Sequence, residues 1–138
     1  MIKYAACFFL CFPVYADHIR TTDLHDICTT KTSTIRDVSK ATKNRIKARD
    51  GFWSIYGGIG SFEIDHRVSL WLGGSNSESN LMLQPYFGQC NAHHKDKLEI
   101  RLHHMACSGL ITINKAQEEI YYDWVGAYER YIDPKGCK

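Results

Sequence analysis

Apolar and polar positions in this chain change period several times, and each change predicts an element. Phe62-Glu63-Ile64-Asp65-His66 alternates with period two and predicts a strand whose last residues are an acid and an imidazole. Leu81-Met82-Leu83-Gln84, halted by Pro85, reads as a short second strand. Residues 67–79 between them end in turn formers, among them Gly73-Gly74-Ser75-Asn76, giving strand, long loop, strand. Upstream, Ser39 as N-cap and Gly51 as stop bracket a helix over Lys40 to Arg49, with Lys40, Lys43 and Lys47 on one face. Phe52 to Gly60 mixes aromatics with glycine and predicts an extended piece followed by a flexible turn. Asp17 to Thr34 is polar, threonine-rich and without periodicity, an irregular arm tied down at Cys28. Past Cys90, a helix capped by Asn91 runs to about Ala106 with Ala92, Leu98, Leu102 and Met105 near one face. A second helix follows Thr112, carrying Ala116, Ile120, Trp124, Ala127, Tyr128 and Tyr131 at three- and four-residue spacings until Pro134.

At 138 residues there is room for one domain, and neither a repeat nor a linker divides it. Residues 1–16 differ in kind. One charge at Lys3, an apolar run from Tyr4 to Phe12, Pro13 and a small residue at Ala16 predict a signal peptide cleaved after Ala16, leaving residues 17–138 as the domain. The run is far short of the roughly 20 apolar residues a spanning helix needs. The expected destination is the periplasm or the exterior, with no stable membrane insertion after cleavage.

Cleavage removes Cys7 and Cys11 and leaves Cys28, Cys90, Cys107 and Cys137, none spaced as Cys-x-x-Cys. In an exported small domain these imply disulfides. Of the three possible pairings, which spacing does not decide, the expected one is Cys28 with Cys107 and Cys90 with Cys137, each stabilising by about 2–4 kcal/mol.

Net charge does not single out a partner, because the formal charge of the whole chain is only +2. Its distribution says more: Lys31, Arg36, Lys40, Lys43, Arg45, Lys47 and Arg49 are opposed locally only by Asp37. Such a segment is either a solvated face or the footprint of a phosphate-backbone binder.

The candidate chemistry sits at the end of the first strand. There Asp65 is placed to ligate a divalent cation, and His66, neutral near pH 7, to take a proton from a water beside a scissile phosphate. His93, with His94 as rival, would complete the metal's protein ligands from the start of the next helix, and Lys95 and Asp96 would stand behind it or meet phosphate. The Asn80 amide, with both donors and acceptors, would tie the long loop to the strand bearing His66.

The ordered set Glu63-Ile64-Asp65-His66, Gly73-Gly74-Ser75-Asn76, Asn80-Leu81, Gln84-Pro85, Asn91-Ala92-His93, Lys95-Asp96-Lys97-Leu98-Glu99, Cys107-Ser108-Gly109 and Asp123-Trp124-Val125 resembles exported bacterial and phage HNH-type endonucleases of the ββα-metal superfamily. The resemblance implies an α+β fold: a ββα-metal core, a basic N-terminal arm or helix and two C-terminal helices, held by disulfides where other members use zinc knuckles. It implies hydrolysis of phosphodiesters in DNA, with RNA as an alternative, largely without sequence preference. His66 would be the general base, Asn80 the residue that orients the loop, and Asp65 and His93 the ligands of one divalent ion, Mg²⁺ before Mn²⁺ or Zn²⁺. Lys40, Lys43, Arg45, Lys47, Arg67 and Lys95 are the expected phosphate contacts. The alternative is a catalytically silent module that binds nucleic acid or an acidic partner around a structural metal.

Overall fold

A computed structural model describes residues 16–138, so the predicted leader lies, apart from Ala16, outside the described residues. The polar arm is helical rather than irregular. The Asp23 carboxylate accepts from the His25 N–H at 2.9 Å and starts α1 (Leu24–Thr29), and α2 (Thr32–Ile35) follows. Helices this short show no 3.6-residue period; the Asp23 cap marks α1, and α2, which follows Lys31 without a side-chain cap, has no such mark.

Helix α3 (Lys40–Arg49) has the predicted bounds, with the Ser39 hydroxyl accepting from the Thr42 N–H at 3.0 Å. The stretch after it is not extended: the Phe52 and Gly58 N–H groups donate to the carbonyls of Lys47 and Phe52, winding residues 51–58 into consecutive turns. Strands β1 (Phe62–His66) and β2 (Leu81–Pro85) form an antiparallel two-stranded sheet that pairs Asp65 with Met82 and His66 with Leu81. Asp50 and Arg49 fasten α3 to it, the carboxylate accepting from the Leu83 N–H at 2.9 Å and the guanidinium donating to the Leu81 carbonyl at 2.5 Å.

Helices α4 (Ala92–Cys107) and α5 (Ile113–Tyr131) pack on each other. Helix α5 is kinked at Asp123, whose backbone is non-helical and whose carboxylate accepts from the Gly126 N–H at 3.0 Å, so Asp123 acts as an internal N-cap. Leu98, Leu102, Ile113, Ala116, Ile120 and Tyr128 of these helices join Ile27, Val68 and Leu72 in the core. The α+β class therefore holds, with strand, strand, helix in chain order.

The arm before α1 runs along the long loop: the Ser75 N–H donates to the His18 carbonyl and the Arg20 N–H to the Gly73 carbonyl, each at 2.8 Å. Gly74 permits this path, because a Cβ there would collide with the Val68 carbonyl oxygen. Disulfides join Cys28 to Cys107 and Cys90 to Cys137, the expected pairing. Among the described residues no helix is long and apolar enough to cross a membrane.

Candidate active site

Asp65 and His66 close β1, and the pleat of the strand gives their side chains partners from different elements. Asp65 Oδ2 accepts from Lys95 Nζ of α4 at 2.6 Å. The same ammonium donates to the His66 carbonyl at 2.7 Å and to Glu99 Oε1 at 2.5 Å, using all three of its donors. Glu99 Oε2 accepts in turn from the Ser69 hydroxyl at 2.7 Å. The expectation of a phosphate contact at Lys95 is thereby corrected: at 0% exposure it bolts α4 to the end of β1 and has no surface to offer. Burial by itself favours the neutral amine, but Glu99 and Asp65 outweigh it and hold Lys95 above the ordinary lysine value. Burial also pushes Glu99 up to about 6, since the one ammonium is shared between two carboxylates.

His66 is sealed, at 1% exposure, and its tautomer follows from its neighbours. The Asn76 amide nitrogen donates to the Ile35 carbonyl at 2.7 Å, so Asn76 Oδ1 accepts from His66 Nε2–H at 3.0 Å. That leaves Nδ1 carrying the lone pair, buried and without a hydrogen-bond partner. Burial pulls His66 below the ordinary imidazole value, only partly opposed by Asn76, and keeps the ring neutral at pH 7.

Asn80 lies wholly inside and spends its amide on the loop backbone. Its Oδ1 accepts from the Val68 N–H at 2.9 Å, and its Nδ2 donates to the carbonyls of Val68 at 3.0 Å and Ser75 at 2.8 Å. The two ends of the loop are stapled directly behind His66.

The two histidines of α4 do different things. His94 Nδ1 accepts from the Asn91 N–H at 3.3 Å while Asn91 Oδ1 accepts from the His93 N–H at 3.1 Å, a reciprocal cap that commits His94 to the helix start. His93 is exposed, its ring 4.9 Å from that of Tyr86. The Tyr86 hydroxyl donates to Glu63 Oε2 at 2.7 Å, and this bond lifts the phenol to about 12. Burial first, then the charge of Asp65, raises both Glu63 and Asp96, opposed only in part by Lys95, by the Tyr86 hydrogen bond at Glu63 and by Arg36 at Asp96. Among the described residues, however, no three His, Cys, Asp or Glu side chains converge closely enough to hold an ion by themselves. Asp65 Oδ1, outside the Lys95 ion pair, the His93 ring, the Asp96 carboxylate and Glu63 Oε1 are the donors outside any hydrogen bond here, and Asp65 and His93 are the pair the sequence singles out. Two protein donors suit Mg²⁺, which keeps several waters and takes further oxygens from substrate phosphate.

The basic residues divide similarly. Lys43 and Lys47 line a cleft of about 550 Å³ with Arg36, Phe62, Glu63 and Ile64, alongside the strand that carries Asp65 and His66. Lys40 and Arg67 are exposed outside its lining. Arg45 is paired with Glu78 at 2.8 Å. Compared with protein-family models, curated proteins and solved structures, the chain matches none. Two working parts of this site, Asn76 behind His66 and Glu99 behind Lys95, fall within the motifs that carry the resemblance, but the sequence assigns neither of them a role. Each takes its meaning from a partner ten residues or one helical turn away.

Proposed function

We propose that the protein is an exported, metal-dependent endonuclease that hydrolyses phosphodiester bonds in DNA, with RNA as the alternative substrate. The observation that carries this is His66: a buried neutral imidazole whose Nε2–H is held by Asn76 and whose Nδ1 has no partner, next to a carboxylate with a spare oxygen. In this reading a local opening of the loop brings water to Nδ1, which is sealed at 1% exposure in the closed fold; Nδ1 then takes the proton of the attacking water, and Asn76 Oδ1 stabilises the imidazolium that forms. Asn80 fixes the loop, so that ring and strand keep their relation. Asp65 and His93 would hold the divalent ion, which when bound supplies Lewis-acid stabilisation of charge on the phosphate and the leaving oxygen. Lys43, Lys47 and Arg36 face the phosphate backbone, making binding steeply salt-dependent. Export is supported by the two disulfides, which persist in oxidising compartments.

One observation favours a catalytically silent binding module instead: Lys95 already neutralises Asp65, as in a purely structural pair. Plasmid nicking by disulfide-intact protein decides between them. The proposal expects cleavage with Mg²⁺, Mn²⁺ or Zn²⁺, none in EDTA, and a loss of about 10²–10⁴-fold in His66→Ala assayed at a temperature where circular dichroism shows the variant folded, since removing so buried a ring also lowers stability. DNA binding without cleavage under any of these metals would establish the silent module. The third position is tested by His93→Ala, expected to abolish metal-dependent cleavage, against His94→Ala, expected only to weaken the helix cap by about 1 kcal/mol.

A further inference from the structure

The winding segment between α3 and β1 exposes Trp53, Ile55, Tyr56 and Ile59, and Phe87 beyond β2 joins the same surface. These side chains are not loose. Tyr56 stacks at a tilt on Phe62 at 4.7 Å, Phe87 meets Phe62 edge-on at 5.2 Å, and Phe52 ties Phe62 to Trp53 at 5.6 and 5.4 Å between centroids. Gly60, at φ +111°, leaves room for this meeting, since a Cβ there would stand 2.8 Å from the Phe62 ring and 3.2 Å from that of Phe87. The outcome is a fixed aromatic surface with one face in water.

What covers it follows from its border. Phe62 belongs both to this cluster and to the lining of the basic cleft, and Lys47 of the cleft lies over the Phe52 ring at 4.9 Å. A ligand touching both must carry negative charge at regular intervals and flat apolar faces beside it, as an unpaired nucleic-acid strand does. A duplex presents the charge but keeps its base faces stacked inside. At about 3.3 Å per strand residue, Phe62 stands about 13 Å from His66 along β1, a span within reach of a short unpaired segment.

We propose that this surface is a base-stacking platform: unpaired bases lie on Trp53 and Tyr56 while their phosphates follow Lys47 and Lys43 toward His66, making single-stranded or frayed nucleic acid the preferred substrate. The inference rests on the nuclease reading for its direction but on the aromatic cluster for its content. It is tested with the mature, disulfide-intact protein in EDTA, where nothing is cut, by fluorescence anisotropy of a labelled oligo-dT and of a labelled hairpin duplex. The wild type should favour oligo-dT, and Trp53→Ala with Tyr56→Ala should lower the ratio of the two affinities about 10-fold or more. Trp53→Phe with Tyr56→Phe, which keeps both rings, should restore it. An unchanged ratio in the alanine variant would overturn the platform. So would wild-type binding to anionic phospholipid vesicles that the alanine variant loses while keeping its oligo-dT affinity, since the surface would then be a membrane contact. Cleavage of plasmid by the wild type is scored separately. A protein that stacks without cutting refutes only the nuclease reading, and one that cuts with an unchanged ratio refutes only the platform.

Discussion

Glu99 on α4 and Glu119 on α5 expose almost the same small fraction of their surface, 6% and 7%, and both are ion-paired, yet Glu99 lies deep in the domain and Glu119 near its rim, and their carboxyls are displaced in opposite directions. Glu99 shares a single sealed ammonium with Asp65, and burial prevails, lifting it to about 6. For Glu119 burial also acts upward, but Lys115 and Arg130, half in solvent, bring two cations to one carboxylate and hold it below the ordinary glutamate value. Depth and pairing act together: Glu99 lies deep and shares one cation with Asp65, whereas Glu119 lies shallow and has two cations to itself. The α4 cluster keeps excess negative charge inside the domain beside the candidate catalytic strand, whereas the α5 cluster is a surface brace.

The largest test of that contrast is Lys95→Met, which leaves two buried carboxylates without a cation. The expected loss is about 3–5 kcal/mol in urea unfolding. A loss under about 1 kcal/mol would show that Lys95 is not the bolt. Next comes Asn80→Ala in the same strand-end network, which strands the Val68 N–H and two loop carbonyls and should cost about 3 kcal/mol by the same measurement.

Acidity separates the clusters by sign. Because Glu99 is raised in the fold, its contribution is fully present below the ordinary glutamate value of 4.5 and is lost as pH rises through about 6, a change of about 2 kcal/mol. Glu119 is lowered, so its contribution is present above 4.5 and is lost as the solution becomes more acidic than that. Stability measured against pH should therefore flatten between 4.5 and 6 in Glu99→Gln and on the acid limb in Glu119→Gln. Matching profiles for the two variants would break the comparison. The smallest effect belongs to Lys115→Met, close to the resolution of the unfolding measurement, because Lys115 is exposed and Arg130 remains.

Much of this architecture is written in local chemistry. Ser39 and Gly51 bound α3, alternation through Ile64 and Asp65 marks β1, Pro85 closes β2, and Asn91 starts α4, because caps, pleat and ring closure act over a few residues. Asn80 alone reads as ordinary turn chemistry after a serine-rich loop, and only its place in the constellation with Asp65, His66 and His93 singles it out. Lys95 is less legible still. Next to two histidines and an aspartate at a helix start it resembles any solvated lysine, and only the arrival of Asp65 from 30 residues upstream turns it inward. The kink at Asp123 is hidden for the same kind of reason: Asp123 and Gly126 form a cap-like pair, but the apolar stripe of α5 continues across them. His94 differs from His93 only through a hydrogen bond to a backbone that the sequence does not display.

The two disulfides span residues 28 to 107 and 90 to 137, so their covalent loops overlap instead of standing in series. Any single break in the backbone between Cys28 and Cys137 falls inside at least one of those loops. A protease can therefore nick the exposed turns around Ile55 or the loop near Ser77 without releasing a fragment, and the cut chain migrates as one species until it is reduced.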